Sequence, residues 1–448
     1  MSAKALTENA EGATDNMAAR RAALTLLETV LVQKQPLDAA LENSDKFRAL
    51  PQRDRGFVRM LVATTLRRLG QIDDLIERNL DRPGSLRNRT IANILRLGVT
   101  QIVFMEVPDH ASVDTSVRLV EMAGMEGQKG FANAVLRNIT RTYKELVPRQ
   151  DEARINTPEW LLKIWIKDYD LRLAAEIATA NLAEAPLDIT VKDPGSKNFW
   201  GNALKASELS TGTLRRAGGG PVQELEGYDS GAWWVQDAAA ALPAKLFGPL
   251  EGKHVIDLCA APGGKTVQMA AMGAFVTALD RSAQRLKRLE ENLARLGLAD
   301  KVEIAAADAS QWQPADGQAP QRILLDAPCT ATGTIRRHPD ILHLKTAQDM
   351  ESLTAVQARL LDNAADILGV GGLLIYCTCS LQRAEGEDQI ERLLAARPDM
   401  QRVPIAAAEV GNYTELVDAN GDLRILPFHL APHGGMDGFY AARLTKTG

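Results

Sequence analysis

Apolar residues recur at intervals of three and four along the first third of the chain. Leu24, Leu27 and Leu31 establish this spacing, which places one apolar stripe on the face of a helix. Similar spacing returns at residues 57–61, 69–76, 91–102, 113–120 and 131–139. The segments are separated by Pro36, Pro51, Pro83 and Pro108. Because proline interrupts helices, residues 17–145 are predicted to form an all-α bundle of short helices.

The segments on either side of this bundle have different patterns. Residues 1–16 are polar and are predicted to be a flexible N-terminus. Residues 146–235 combine a helical segment that carries Trp160 and Trp165 with a predicted strand at 187–192. A glycine-rich loop follows that strand. Residues 146–235 are therefore predicted to form a small α+β connector subdomain.

From residue 252 onward, apolar strands alternate with helices. The predicted strands are 254–260, 275–280, 301–308, 322–328, 371–380 and 437–446. Three helices are predicted most clearly. One follows Asp280 and continues to Leu296, and the others cover residues 347–368 and 385–396. This alternation predicts a parallel, doubly wound, Rossmann-like α/β sheet within residues 236–448. Such sheets bind ligands at the carboxyl ends of their strands, so the chemistry is expected in the loops that follow the strands.

Composition narrows the class of protein. The chain has 448 residues, with 52 Lys and Arg against 57 Asp and Glu, and a net charge of −5. This balance excludes a highly basic, histone-like nucleic-acid binder, but not an enzyme with a local basic face. Four cysteines in a chain of this length do not form a secreted disulfide framework. The N-terminus has no signal-peptide pattern, and the longest uncharged apolar stretch is too short to span a bilayer. A soluble, cytoplasmic protein without a membrane partner is expected, and a monomer.

One stretch of the predicted bundle is strongly basic. Residues 51–100 contain ten Arg, no Lys and five acidic residues. Arginine suits bidentate contacts with phosphate, so this stretch, with Arg53, Arg55 and Arg59, is a candidate RNA-backbone patch. A solvated helix face explains the same charges equally well, and both interpretations stay open.

The first chemical motif is CAAPGGKT at residues 259–266, between a predicted strand and a helix. Small residues at a helix N-terminus let the backbone approach a polar or anionic ligand. The motif has Cys259 where a phosphate-binding P-loop needs glycine, and it lacks the Gly-x-Gly-x-x-Gly of a nicotinamide site. Asp280 and Asp308 end the next two strands, where acids can bind a ribose diol and an adenine amino group. An adenosine-containing cofactor without a triphosphate is predicted. The alternative role is a helix cap for Asp280 and a cap or turn for Asp308.

The second motif follows the fourth predicted strand. It begins with Asp326 and Cys329, continues through a glycine loop and reaches Arg336 and Arg337. An acid and a thiol three residues apart thus follow a buried strand and lead into a glycine loop. The two arginines are suited to a phosphodiester backbone.

Two further thiols, Cys377 and Cys379, end the fifth predicted strand. Zinc sites usually place two to four residues between cysteine ligands, whereas a single residue separates these two. No metal site is therefore predicted. Cys377 is also explained as a small buried hydrophobe.

These motifs resemble those of a known family, the RNA cytosine-C5 methyltransferases. The resemblance rests on CAAPGGKT (259–266), DAPCTATGTIRRHPD (326–340), CTCS (377–380) and the helix at 280–298. Residues 17–141, with ILRLGVTQIVFM and FANAVLRN, resemble the NusB-like helical RNA-binding domain. This fusion is typical of family members that act on small-subunit rRNA. The resemblance covers nearly the whole chain and implies S-adenosyl-L-methionine as cofactor and 16S rRNA as substrate.

The resemblance also assigns roles to residues. It implies that Cys379 is the nucleophile, that Cys329 aids product release and that Asp326 is the third catalytic residue. The cofactor-binding residues that it implies are Cys259, Ala260, Ala261, Pro262, Gly263, Gly264, Lys265, Asp280, Arg285, Asp308 and Asp326. Many relatives have a Glu-Asn pair after the nucleophile, where this chain has Ala-Glu-Gly-Glu at 384–387. No role is therefore carried over for that Asn.

The chemistry of these residue types suits methylation at C5. That carbon is a poor nucleophile, but addition of a thiolate at C6 makes it enamine-like. A thiol is only a few per cent ionised at neutral pH, yet it is intrinsically very nucleophilic. Chemistry alone allows either Cys329 or Cys379 to attack. Two other functions stay open: the same reaction on tRNA or large-subunit rRNA, and a non-catalytic RNA-binding ribosome-assembly factor.

Overall fold

The computed structural model of the protein describes residues 3–217, 220–315 and 317–448, with side chains from Met17 onward. These residues form two compact units. The first unit contains the chain up to Ile166, together with Leu171–Leu182 and His338–Lys345. The second contains Lys167–Asp170, Ala183–Arg337 and Thr346–Gly448. The division predicted from sequence, with boundaries after residues 16, 145 and 235, stays a prediction.

The secondary structure follows the predicted change from helices to alternating strands and helices. The helices are α1 (Ala3–Leu31), α2 (Leu37–Asn43), α3 (Asp45–Arg48), α4 (Gln52–Arg67), α5 (Leu69–Arg78), α6 (Arg89–Val103), α7 (Asp109–Met122), α8 (Lys129–Leu146), α9 (Glu152–Ile155), α10 (Glu159–Asp168), α11 (Leu171–Ala180), α12 (Lys197–Ala203), α13 (Leu242–Lys245), α14 (Gly264–Ala271), α15 (Ala283–Leu296), α16 (Ile341–Leu344), α17 (Ala347–Ile367) and α18 (Glu387–Ala396). The strands are β1 (Leu187–Val191), β2 (Ala206–Glu208), β3 (Leu214–Arg216), β4 (Trp233–Val235), β5 (His254–Asp257), β6 (Phe275–Asp280), β7 (Val302–Ala306), β8 (Arg322–Asp326), β9 (Leu373–Thr378), β10 (Met400–Arg402), β11 (Leu423–Ile425) and β12 (Phe439–Lys446).

The first unit is the predicted all-α bundle. Leu27 of α1, Leu61 of α4, Ile94 of α6 and Leu136 of α8 are fully buried in one core, as the apolar stripes require. Helix α1 begins at Ala3, earlier than the predicted start at Met17. Polarity argues against burial of that segment but not against helix formation. Its flexibility stays a prediction, and residues 1 and 2 lie outside the described part of the chain.

The second unit contains a small antiparallel sheet with the order β2-β3-β1-β4. Of its strands, β1 matches the one predicted from sequence. The other three have three residues each, too few to show an alternating pattern. The connector is therefore richer in β-structure than its sequence indicates.

The large sheet of the second unit has the order β10-β12-β9-β8-β5-β6-β7, with β11 beside β12. Strands β5 to β9 are parallel, as predicted. Strand β12 runs antiparallel to β9, so the prediction of a parallel sheet is wrong at this edge and the sheet is mixed. Periodicity identifies a strand but not its direction, which depends on how the chain returns to the sheet.

Strand β5 lies at the topological switch point of the large sheet. It pairs with β6 on one side and with β8 on the other, so the chain leaves β5 in one direction and later returns to its opposite edge. The loops at the carboxyl ends of β5 and β8 therefore separate and leave a crevice between them. Both chemical loops predicted from sequence begin at these strand ends.

Candidate active site

The glycine loop joins β5 to α14. Gly263, the residue before α14, has a φ of 109°, in the left-handed region that side chains disfavour. A Cβ at this position would lie 2.3 Å from Cδ1 of Leu289. The left-handed φ and the nearby Leu289 side chain of α15 therefore both favour glycine here, and the loop backbone leads directly into a helix N-terminus.

Asp280 and Arg285 hold this loop from the side of β6. Asp280 Oδ2 accepts a hydrogen bond from the amide of Ala261 at 3.3 Å, and Oδ1 accepts one from the amide of Ser282 at 2.8 Å. Arg285 pairs with Asp280 at 3.1 Å and donates to the carbonyl of Ala261. The helix cap itself is Ser282, whose Oγ accepts from the amide of Arg285. The predicted residues are thus brought together, with Asp280 buried and bound to the loop.

Asp308 is placed differently from Asp280. It is exposed after β7, and its Oδ1 accepts hydrogen bonds from the amide and the hydroxyl of Ser310 at 3.0 and 2.8 Å. These two hydrogen bonds hold the pKa of Asp308 below its usual value. Asp308 therefore forms the turn that was its alternative role. Its Oδ2 has no hydrogen bond within the described part of the chain.

Lys265, in the first turn of α14, points towards β8. Its Nζ lies 2.7 Å from Asp326 Oδ2 and 4.8 Å from the centre of the Phe439 ring. Burial opposes the lysine charge, but the carboxylate of Asp326 outweighs burial and raises the pKa of Lys265 above its ordinary value. The ammonium therefore stays charged and holds Asp326. Sequence reasoning missed Phe439, because nothing near it in the chain marks its contact with a cation.

Cys259 and Cys377 are thiols with little reactive character. Burial is the largest cause that raises the pKa of each above the ordinary value, which keeps both protonated. Cys377 is fully buried, and its Sγ donates to Asp326 Oδ1 at 3.5 Å. It is the small buried residue that was expected, and it also orients the carboxylate of Asp326.

Cys329 and Cys379 meet at the carboxyl ends of β8 and β9. Their Sγ atoms are 3.5 Å apart, and both residues are half-buried. The hydrogen bond with Cys379, followed by burial, raises the pKa of the Cys329 thiol well above its ordinary value. The raised pKa favours the protonated form of Cys329, and the two sulfurs are close enough for a hydrogen bond in which either can be the donor.

The two arginines of the second motif are not available to RNA. Arg337 lies between Asp237 at 2.6 Å and Asp437 at 2.9 Å, and it also donates to the carbonyl of Pro186 at 3.0 Å. Arg336 is buried and donates to the carbonyls of Gly434 and Met436. Their assignment to a phosphodiester backbone is wrong, because buried carboxylates and carbonyls that lie far away in the sequence satisfy them.

The basic stretch of the helical unit is partly used for internal ion pairs. The pairs are Arg59 with Asp38, Arg68 with Glu152, Arg78 with Asp74 and Arg96 with Asp73. Arg53 and Arg55 of α4 are exposed and form no ion pair within the described residues. The candidate RNA patch therefore contains fewer arginines than the ten that the sequence suggested.

None of the helices described is long and apolar enough to cross a bilayer. No group of three or more His, Cys, Asp or Glu side chains in the described ranges is arranged to hold a metal ion.

Solved structures with similar folds cover both units. The crystal structure of PH0851 matches with a TM-score of 0.74 at 21% identity, over 95% of this chain and 98% of that one. The structure of NSun6 from Pyrococcus horikoshii with SFG matches with a TM-score of 0.53 at 21% identity, over 65% of this chain and 98% of that one. Both likenesses concern the fold.

Sequence relatives identify the family. Residues 244–445 match the family model described as 16S rRNA methyltransferase RsmB/F, and residues 17–141 match the NusB family model. The ribosomal RNA small subunit methyltransferase B of Pseudomonas putida is 35% identical over 447 residues, which cover 95% of this chain and 98% of that protein. The resemblance seen in the motifs is confirmed, and the chain belongs to the RsmB/F family of 16S rRNA methyltransferases.

Proposed function

We propose that this protein methylates C5 of a cytosine in 16S rRNA, with S-adenosyl-L-methionine as cofactor and a transient bond between Cys379 and C6 of the base. The observation that carries the proposal is the pair of thiols, Cys329 and Cys379, 3.5 Å apart beside the switch point. Family membership supports the substrate class. A purely RNA-binding factor has no use for two thiols held together at this place.

The residues around the glycine loop fit the cofactor. Residues 259–265 form the loop, and Gly263 lies where a Cβ would collide with α15. Asp280 and Asp308 follow neighbouring parallel strands, β6 and β7, and carboxylates there suit ribose hydroxyls and an adenine amino group. Arg285 supports the loop from α15. When bound, the cofactor supplies an electrophilic methyl group on a sulfonium centre.

Cys379 is the proposed nucleophile. Its thiolate adds to C6 of a cytosine that has been unstacked from the RNA, and the electron pair of the C5–C6 double bond moves towards the ring nitrogen N3. The S–C6 bond therefore leaves C5 enamine-like and nucleophilic. Cys329 lies beside the attacking sulfur, with its Sγ at 3.5 Å.

Asp326 is proposed to bind the N3/N4 edge of the same base. Lys265 holds one of its oxygens at 2.7 Å, and the thiol of Cys377 donates to the other. A carboxyl group in this position can share a proton with the base edge as charge develops on the ring. The three side chains therefore act as one unit, in which Lys265 and Cys377 orient Asp326.

Product release requires two further changes at the base. The proton on C5 passes to a base, and its bonding electrons re-form the C5–C6 double bond while the S–C6 bond breaks. The electron pair of that bond returns to Cys379 as a thiolate. Cys329, whose Sγ lies 3.5 Å from that of Cys379, is the residue proposed to assist this release.

The reaction is tested first on its substrate. Methyl transfer from labelled cofactor is measured with free 16S rRNA, assembled small subunits, large-subunit rRNA and tRNA. Label in C5 of cytosine in 16S rRNA is the expected result. Label in tRNA or large-subunit rRNA alone would contradict the substrate, and label in none of them would favour a non-catalytic role.

The roles of the two thiols are tested by single substitutions. Cys379→Ser is expected to abolish the covalent RNA adduct, whereas Cys329→Ser is expected to accumulate it, because attack proceeds and release is impaired. The adduct is measured as an RNA-dependent, denaturation-resistant shift on a gel. The reverse pattern would overturn the assignment of the nucleophile. Cys377→Ser is the control: it leaves Cys329 and Cys379 in place and keeps a hydrogen-bond donor beside Asp326, so it should form the adduct as the wild type does.

A further inference from the structure

Glu385 lies on the short segment between β9 and α18 and is completely buried. Its Oε1 accepts a hydrogen bond from the amide of Thr330 at 2.9 Å, and its Oε2 accepts one from the hydroxyl of the same residue at 2.5 Å. The hydroxyl of Ser380 lies 2.6 Å from Oε2. Thr330 directly follows Cys329, and Ser380 directly follows Cys379. One carboxylate therefore binds the neighbour of each thiol.

Two other elements fix the position of this carboxylate. Gln357 of α17 donates from Nε2 to Glu385 Oε1 at 3.0 Å and to the carbonyl of Pro328, next to Cys329, at 2.8 Å. The hydroxyl of Tyr376 on β9 donates to the backbone carbonyl of Glu385 at 2.8 Å. Glu385 is therefore held by α17 and β9 as well as by the residues that follow the two cysteines.

A structural role in packing does not explain a carboxylate at this place. Among the described residues no Lys or Arg forms an ion pair with Glu385, and its contacts are with neutral donors. Burial of a carboxylate is costly unless hydrogen bonds satisfy it, whereas an apolar side chain would fill the same space without that cost. What the carboxylate adds is two oxygens that accept from several donors at once.

We propose that Glu385 is a positioning residue that clamps the loop of Cys329 to the loop of Cys379 and thereby sets the separation of the two thiols. This inference rests on the proposed function, in which the pair acts during addition and release. Glu385 touches neither sulfur through a hydrogen bond, and it acts through Thr330 and Ser380. The segment Ala384–Glu387, which departs from the pattern of many relatives, thus contains this positioning residue.

Glu385 also affects the ionisation of Cys329 through its charge. After the hydrogen bond with Cys379, burial and the charge of Cys379 itself, the carboxylate of Glu385 is a further cause that raises the pKa of Cys329. A fixed negative charge beside Cys329 disfavours its thiolate. It therefore favours the protonated form of Cys329.

The clamp is tested by the rate at which the two thiols can be joined. Diamide converts two adjacent thiols to a disulfide and takes up both hydrogens itself, and peptide mapping identifies the bond between Cys329 and Cys379. Wild type and Asp388→Asn, an exposed acid of the adjacent helix, are expected to cross-link equally fast. Glu385→Ala is expected to cross-link about tenfold more slowly or more, because misplacement by about 1 Å is enough to lose such proximity. Glu385→Gln, which keeps one acceptor, should lie between them.

Methyl transfer provides the second readout. Glu385→Ala is expected to lower kcat by roughly tenfold to a hundredfold with an unchanged KM for the cofactor, because the glycine loop is not in contact with Glu385. A general loss of structure would instead raise KM and lower the melting temperature together. If Glu385→Ala does not fold, Ser380→Ala and Thr330→Val, which each remove one hydroxyl from the clamp, decide the question by the same two measurements.

The two proposals fail in different ways. Cross-linking at the wild-type rate in folded Glu385→Ala overturns the clamp, even if the enzyme methylates cytosine as proposed. Absence of methyl transfer by the wild-type protein overturns the proposed function, while the cross-linking rates still report whether Glu385 sets the distance between the thiols.

Discussion

Replacement of Arg337 is the most informative single test of how the second motif is used. Arg337→Met keeps the aliphatic stem and removes the guanidinium, which leaves the carboxylates of Asp237 and Asp437 without their cation. Both carboxylates are buried, and they lie 2.6 and 2.9 Å from the guanidinium. Removal of one partner from a buried ion pair costs about 3–5 kcal/mol, because the other charge stays behind.

The loss of stability in Arg337→Met should depend on pH. Burial, with the charge of Asp237, already raises the pKa of Asp437 to about 7 in the wild-type protein, and loss of the nearby cation raises it further. In the variant Asp437 therefore takes up a proton more easily, and a neutral carboxyl needs no cation. The loss of stability should be largest above about pH 7 and smaller near about pH 5.

The assay is urea unfolding followed by tryptophan fluorescence, for wild type, Arg337→Met and Arg392→Met. Arg392 forms an exposed pair with Asp362 at 2.9 Å, so its loss should cost about 1 kcal/mol or less. A second substitution, Asp437→Asn, should restore part of the stability of Arg337→Met. Unchanged stability of Arg337→Met, together with weaker binding of 16S rRNA, would refute the structural role. It would instead support a contact between this arginine and the RNA.

Three further outcomes test other parts of the molecule. Gly263→Ala should weaken cofactor binding about tenfold or more, measured by calorimetry, because a side chain at φ 109° is strained by about 1–3 kcal/mol and collides with α15. Combined reversal of Arg53 and Arg55 to Glu should weaken rRNA binding and lower the slope of log K against log salt by about 0.7 per lost contact; an unchanged slope would mean a solvated face. Burial raises the pKa of Asp257 to about 7 from 3.8, so the folded state holds a proton that the unfolded chain releases, and stability should fall as pH rises from about 4 to 7. Asp257→Asn should make that fall smaller in urea unfolding, whereas Asp437, whose pKa burial also raises to about 7, keeps its own contribution; a fall as steep as in the wild type would contradict the argument.

Much of the fold is predictable because its signals are local. The apolar stripe that includes Leu24, Leu27 and Leu31 has the period of a helix, and strands such as Phe275–Asp280 are continuous apolar runs between helices. The motifs around Cys259, Cys329 and Cys379 were located at strand ends for the same reason. The short strands Ala206–Glu208 and Leu214–Arg216 were missed, because their pairing rather than their own sequence makes them strands.

Partners that are distant in the sequence account for what prediction missed. Ten arginines between residues 51 and 100 suggest a basic surface, yet Arg96 is bound by Asp73 and Arg68 by Glu152. The charge of a side chain can be read from the sequence, whereas its partner depends on which elements the fold brings together. This is also why Asp280 and Asp308, two acids at equivalent strand ends, differ so much in burial.

The same argument explains why Glu385 was the least visible residue of the site. Its donors, Thr330 and Ser380, are common hydroxyl residues, and each draws attention only as the neighbour of a cysteine. Thr330 lies 55 positions before Glu385 in the chain, whereas Ser380 lies five positions before it. In this site, the residues that follow the two thiols share one acceptor, Glu385. Substitutions that preserve both cysteines can then still abolish the chemistry, and the separation of the two sulfurs is the quantity that would report it.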